Sequence, residues 1–108
     1  MKYKFACLLF LTLGCADITP IVDRKIYGPV VTLQDWFTSS HLLQYSGGAV
    51  LFDAGFRPAI IESALEEEGV KTTDVTHIFL THGHGDHVGG LELFPDALVL
   101  GMTEEASL

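Results

Sequence analysis

The sequence predicts an α/β domain, and three features carry that expectation. Two apolar segments, Ala49 to Asp53 and His77 to Thr81, bracket a stretch with helical spacing and helical boundaries. Strand, helix, strand is the parallel crossover pattern of an α/β layer. A histidine- and glycine-rich loop follows the second segment, at the sheet edge where open α/β sheets place their ligands. Finally, 108 residues leave room for at most one domain.

The first sixteen residues stand apart from that domain. Lys2 and Lys4 precede a largely apolar run, Phe5 to Leu13, and small residues Gly14, Cys15 and Ala16 end it, which is the order of an export signal. The run is too short to span a bilayer. Its end also resembles a bacterial lipoprotein signal, in which Cys15 becomes the lipidated first residue, and cleavage after Ala16 fits nearly as well. The expected address is therefore extracytoplasmic: periplasmic, secreted or lipid-anchored. Cys7 and Cys15 are the two cysteines, and either form of processing leaves no pair for a disulfide. A spacer over 17–24 then leads into the domain, expected over 25–108.

Along the domain, Tyr27 to Leu33 suits an edge strand because Pro29 cannot donate to a ladder. Trp36 to Tyr45 and Ala49 to Asp53 flank Ser46, Gly47 and Gly48, a hairpin turn. The apolar run Ala49 to Phe52 does not alternate, as expected of a strand covered on both faces. Pro58 suits the first position of a helix reaching about Glu68, with Gly69 as its stop. Ile61, Ala64, Leu65 and Glu68 share one face of it, and Glu66 and Glu67 are read as solvated. Thr73 and Asp74 begin a short turn before the buried strand His77 to Thr81. Ala97 to Met102 reads as a further strand, and Thr103, Glu104 and Glu105 as the start of another helix.

Charge narrows the function classes. The formal net charge is −8, from 6 basic and 14 acidic residues, and loss of Lys2 and Lys4 with the signal takes it to −10. No basic run occurs, so nucleic acid is not an expected partner. An anionic surface suits a metal cation instead. Three of the five histidines, His82, His84 and His87, lie with Asp86 inside six positions, interleaved with Gly83 and Gly85. Imidazole and carboxylate suit a borderline cation such as Zn²⁺, and glycines free the backbone to curl so that side chains aim at a common centre. Asp53 and His82 fall at the carboxyl ends of neighbouring strands. Asp53 reads equally as a group that fixes a ligand or the loop backbone and as a strand-terminal turn residue. His77 and His41 are left outside the site. Trp36, Phe37 and Tyr45 are read as packing in preference to a substrate entrance.

With these residues in view, the sequence resembles the metallo-β-lactamase superfamily, whose signature His-x-His-x-Asp-His is matched by His82, His84, Asp86 and His87. Leu80-Thr81 before it, Gly89-Gly90-Leu91 after it and Leu51-Phe52-Asp53-Ala54-Gly55 upstream extend the match over roughly residues 25–108. The resemblance implies the first half of a four-layer αββα fold. It implies that His82 and His84 help bind one metal and Asp86 and His87 a second, with two Zn²⁺ or similar ions in a complete domain. Two such ions, about 3.5–4 Å apart, activate water and polarise a carbonyl or phosphoryl oxygen. Asp86 could also act in catalysis, orienting the attacking oxygen or shuttling its proton.

The resemblance also sets an expectation of truncation. A family domain is built from two similar halves, and no histidine follows His87 to supply the later ligands. The expected product is a fragment, an interrupted reading frame or a subunit that needs a missing carboxy-terminal half or a second chain. The leading functional expectation is a metal-dependent hydrolase of a small molecule: a β-lactam, lactone, thioester or phosphoester. The alternative is a catalytically inactive metal-binding or partner-binding fragment.

Overall fold

A computed structural model describes residues 26–102. The expected signal with its Cys15, the expected spacer and the expected helix start at Thr103 lie outside the described residues. Six strands form one mixed sheet in chain order: β1 (Ile26–Tyr27), β2 (Val30–Asp35), β3 (Thr38–Tyr45), β4 (Gly48–Phe52), β5 (Val75–Phe79) and β6 (Leu98–Leu100). The first four run as an antiparallel meander, and β4, β5 and β6 are parallel. Helix α1 (Pro58–Glu67) makes the β4-to-β5 crossover, and the four-residue helix α2 (Gly85–Val88) lies in the histidine segment. The expected α/β class is therefore what the chain adopts. Among the described residues, no helix is long and apolar enough to cross a membrane.

Several boundaries differ from the sequence expectation. Pro29 lies in the turn between β1 and β2, not within a strand. Its fixed φ suits a turn as well as an edge, and sequence pattern does not separate the two. Trp36 and Phe37 form the two-residue turn between β2 and β3. Trp36 holds φ +61°, a conformation bulky side chains seldom adopt, which is why the pattern hid the turn. The strand before the histidine loop is Val75–Phe79, so His77 sits at its centre and Leu80-Thr81 belong to the loop.

Burial comes mainly from one face of the sheet. Alternate residues Leu33, Leu42, Leu51 and Ile78 are buried against Ile61 and Leu65 of α1. Along β4 the pattern alternates between buried and half-buried, correcting the expectation of a strand covered on both faces. On the opposite face Phe52 and Phe79 stack with ring centroids 5.5 Å apart, and Phe79 remains exposed. The three residues of β6 are exposed throughout.

Helix α1 forms where Pro58 and Gly69 bound it. Pro58 sets φ for the first turn. At the other end Gly69, φ +72°, lets its amide reach the Glu66 carbonyl (2.9 Å) and the Val70 amide reach the Leu65 carbonyl (2.9 Å). That bond pair, with Val70 and Leu65 both in the core, is the Schellman closure of a helix. No side chain caps the amino end from the adjacent Arg57. Asp35, at the end of β2, instead holds the chain just ahead of the helix by accepting the Phe56 and Arg57 amides.

Candidate metal centre

Register brings the site together at one edge of the sheet. The β4–β5 pairing aligns Phe52 with Phe79, and the Asp53 amide extends the ladder to the Phe79 carbonyl at 2.9 Å. The chain after β4 and the chain after β5 therefore leave the sheet side by side. Two further bonds join them: Ala54 N–H donates to the His87 carbonyl at 2.7 Å, and Gly89 N–H to the Gly55 carbonyl at 2.9 Å. The approach is close enough that a Cβ at Gly89 would overlap the Phe56 carbonyl, and one at Gly90 the Ala54 carbonyl.

Asp53 is buried and holds φ +61°, which a short polar side chain tolerates better than most. Its Oδ1 accepts the Thr81 amide at 2.8 Å, and its Oδ2 accepts the Thr81 hydroxyl at 2.7 Å and faces His87 Nδ1 at 2.8 Å. A carboxylate only accepts, so His87 donates from Nδ1. The same argument runs one step further. The Thr81 hydroxyl has given its hydrogen to Asp53, so its contact with His82 Nδ1 at 2.9 Å is donated by the imidazole. One buried carboxylate thus fixes the Nδ1 proton of two histidines, of His87 directly and of His82 through Thr81.

The four signature side chains lie together. His82 packs against His84 and His87 with ring centroids 4.7 and 4.0 Å apart, and His87 Nε2 lies 3.3 Å from Asp86 Oδ2. His84 is exposed, whereas His82, Asp86 and His87 are half-buried. The contacts come as pairs: among the described residues, no three histidine, cysteine or acidic side chains form a group around a single point. The donor types suit Zn²⁺.

Other sequence candidates separate from this cluster. His41 bonds to Thr32 at 3.3 Å, and His77 to Thr76 at 2.9 Å. Tyr45 also joins Thr76, at 3.0 Å, on the strand end opposite the histidine loop. Trp36 and Phe37 are exposed and contact each other at 4.7 Å, with Phe56 6.4 Å beyond, so the hairpin tip lies beside the loop that meets α2.

Sequence reading missed three residues. Thr81 carries the contact between Asp53 and His82. Thr38 Oγ1 donates to the Asp86 carbonyl at 3.0 Å, tying β3 to α2. Asp35 is fully buried; its Oδ2 accepts the amides of Phe56 (3.0 Å) and Arg57 (2.6 Å), and its Oδ1 meets the Arg57 guanidinium at 2.7 Å. The only local signal was a polar residue on the inward-facing register of an otherwise apolar strand.

A family model, the metallo-beta-lactamase superfamily, matches residues 33–101, from within β2 to just past β6. The chain belongs to the metallo-β-lactamase superfamily. Over 56 residues it is 48% identical to metallo-beta-lactamase domain-containing protein 1 of Mus musculus, a match covering 49% of this chain and 21% of the mouse protein. A metal-dependent hydrolase of Alkaliphilus metalliredigens is 40% identical over 52 residues, covering 44% of this chain and 23% of its own. Among solved structures, a motif mutant of the metallo-β-lactamase from Cronobacter sakazakii superposes with a TM-score of 0.70 at 30% identity, covering 77% of this chain and 35% of that one. The chain thus spans about a fifth to a third of these metallo-β-lactamase superfamily relatives.

Proposed function

We propose that the chain is the ligand-bearing amino-terminal part of an exported, zinc-dependent hydrolase. His82 and His84 would hold one ion, Asp86 and His87 a second. The observation that carries the reading is the Asp53 carboxylate, 2.8 Å from His87 Nδ1 and joined through Thr81 to His82. A hydrogen bond that fixes the far nitrogen of an imidazole is what orients a ligating histidine and raises its basicity. Bound zinc supplies Lewis-acid polarisation and activation of water. Asp86, partly exposed and beside His87, is placed to orient the attacking oxygen or take up its proton.

The substrate class is a small molecule with an electrophilic carbonyl or phosphoryl centre: β-lactam, lactone, thioester or phosphoester. Paired contacts in the loop give each ion two ligands from this chain, so the remainder come from a segment or subunit outside it. The same pairing favours a second reading, a metal-binding module without turnover.

Metal content and hydrolysis measured on the purified chain, alone and with a supplied carboxy-terminal half, test the proposal. Bound zinc and turnover that disappear together in His84→Ala support the hydrolase. Zinc without turnover in the completed protein supports the module. A well-folded preparation that takes up no transition metal overturns both.

A further inference from the structure

We infer that Asp35, on a strand remote in sequence from the histidine loop, is a positioning residue for that loop. This rests on the metal-binding reading above and adds a residue to it. Three observations lead there. First, Asp35 is a fully buried carboxylate whose one ion-pair partner among the described residues, Arg57, is itself half exposed. Such a charge is costly to bury, and its burial calls for bonds in return. Second, those bonds go to the backbone that presses on the histidine helix. Both the Phe56 and Arg57 amides end on Asp35 Oδ2, while Ala54 and Gly55, just before them, bond to the His87 carbonyl and the Gly89 amide. Third, the joint has no slack. A Cβ at Gly55 would overlap Ile61 of α1 and come within 3.5 Å of Asp35 Oδ2, and one at Gly89 would overlap the Phe56 carbonyl.

The segment from Asp53 to Arg57 is consequently held at both ends by carboxylates. Asp53 orients the imidazoles directly. Asp35 fixes where the segment sits, and through the bonds of Ala54 and Gly55 it fixes the height of α2 over the sheet edge. Thr38, three residues beyond Asp35, takes the Asp86 carbonyl from the other side. The β2–β3 hairpin thus holds α2 directly through Thr38 and, by way of the segment from Asp53 to Arg57, through Asp35. A misplacement of a fraction of an ångström in a ligand set weakens the metal without unfolding the protein.

Asp35→Asn tests this, because it keeps the shape but turns an amide nitrogen toward either the backbone N–H groups or the guanidinium. Zn²⁺ affinity is measured by competition with a chromogenic chelator on the full 108-residue chain, under conditions where each variant is folded. Leu65→Ala, a core truncation in α1 away from the loop, serves as the destabilised control. The expected result is a loss of zinc affinity of roughly tenfold or more in Asp35→Asn, with affinity in Leu65→Ala close to that of the unaltered chain. A smaller loss in Asp35→Asn, or an equal loss in the control, overturns the inference and leaves the metal site standing. If the unaltered chain takes up no zinc even with the carboxy-terminal half supplied, the site itself is wrong and the inference falls with it.

Should Asp35→Asn fail to fold, hydrogen exchange on the unaltered chain decides. Coupling between sites is reciprocal, so zinc binding must slow exchange of the Phe56 and Arg57 amides together with those of Ala54 and Gly89. Protection that stops at Ala54 and Gly89 overturns the inference.

Discussion

Asp53 sets two imidazoles through one carboxylate, and the geometry makes a sharp test. In Asp53→Asn the retained carbonyl oxygen can still accept the Thr81 amide, but the new NH₂ group faces the Thr81 hydroxyl and His87 Nδ1. A donor there forces Nδ1 to accept, so the His87 proton moves to Nε2 and the ligating lone pair is lost. The expected outcome is a folded chain in which the ¹⁵N resonances of His87 switch tautomer, with zinc affinity down about 10–100-fold. Unchanged His87 resonances would show that Asp53 is not what orients the ring. The position of Asp53 was legible in the sequence, because a strand that ends in aspartate ahead of a second strand must deliver it to the same edge. Asp35 was not: its partners lie 21 and 22 positions on, and its inward register on β2 does not say what it meets.

At the scale of elements, glycines that look alike in the sequence do different work. Gly85 lies within the signature and was read as freeing the loop to curl, and Gly90 lies in the extension just after it. The structure separates them. Gly85 has ordinary φ and open space where a Cβ would stand, whereas Gly90 presses on the Ala54 carbonyl. Gly85→Ala is expected to leave stability unchanged or raise it by about 0.4–1 kcal/mol, through a less flexible unfolded chain. Gly90→Ala is expected to cost about 1–3 kcal/mol, because the obstacle is backbone of a segment fastened at both ends. Urea midpoints of the two variants check this, and equal midpoints would refute the close approach. Helix α1 was readable to within a residue because proline and glycine mark its ends chemically. The hairpins were less so, since Trp36 occupies a turn position that composition assigns to glycine. The core truncation Leu65→Ala is expected to cost about 2–5 kcal/mol, as Leu65 is fully buried and closes the helix against Val70.

For the molecule as a whole, the unequal treatment of the two sheet faces and edges governs solution behaviour. One face is sealed by α1; on the other, Phe79 is exposed, and β6 presents Leu98, Val99 and Leu100 at the sheet's edge among the described residues. An apolar strand with unpaired backbone groups along one side is a template for pairing with another chain. The net charge of −8 opposes association only at long range and is screened within about 10 Å at 0.1 M salt. The 108-residue chain is therefore expected to self-associate more readily as salt rises, the reverse of an assembly held by ion pairs. Leu98 is 55% exposed, so Leu98→Lys removes little burial from the fold while placing a charge on the edge. It should lower light scattering at raised salt and leave the free energy of urea unfolding within about 0.5 kcal/mol of that of the unaltered chain. Scattering that persists in this variant would show that association runs through another surface. A large fall in the midpoint would show that β6 holds the sheet together rather than merely ending it.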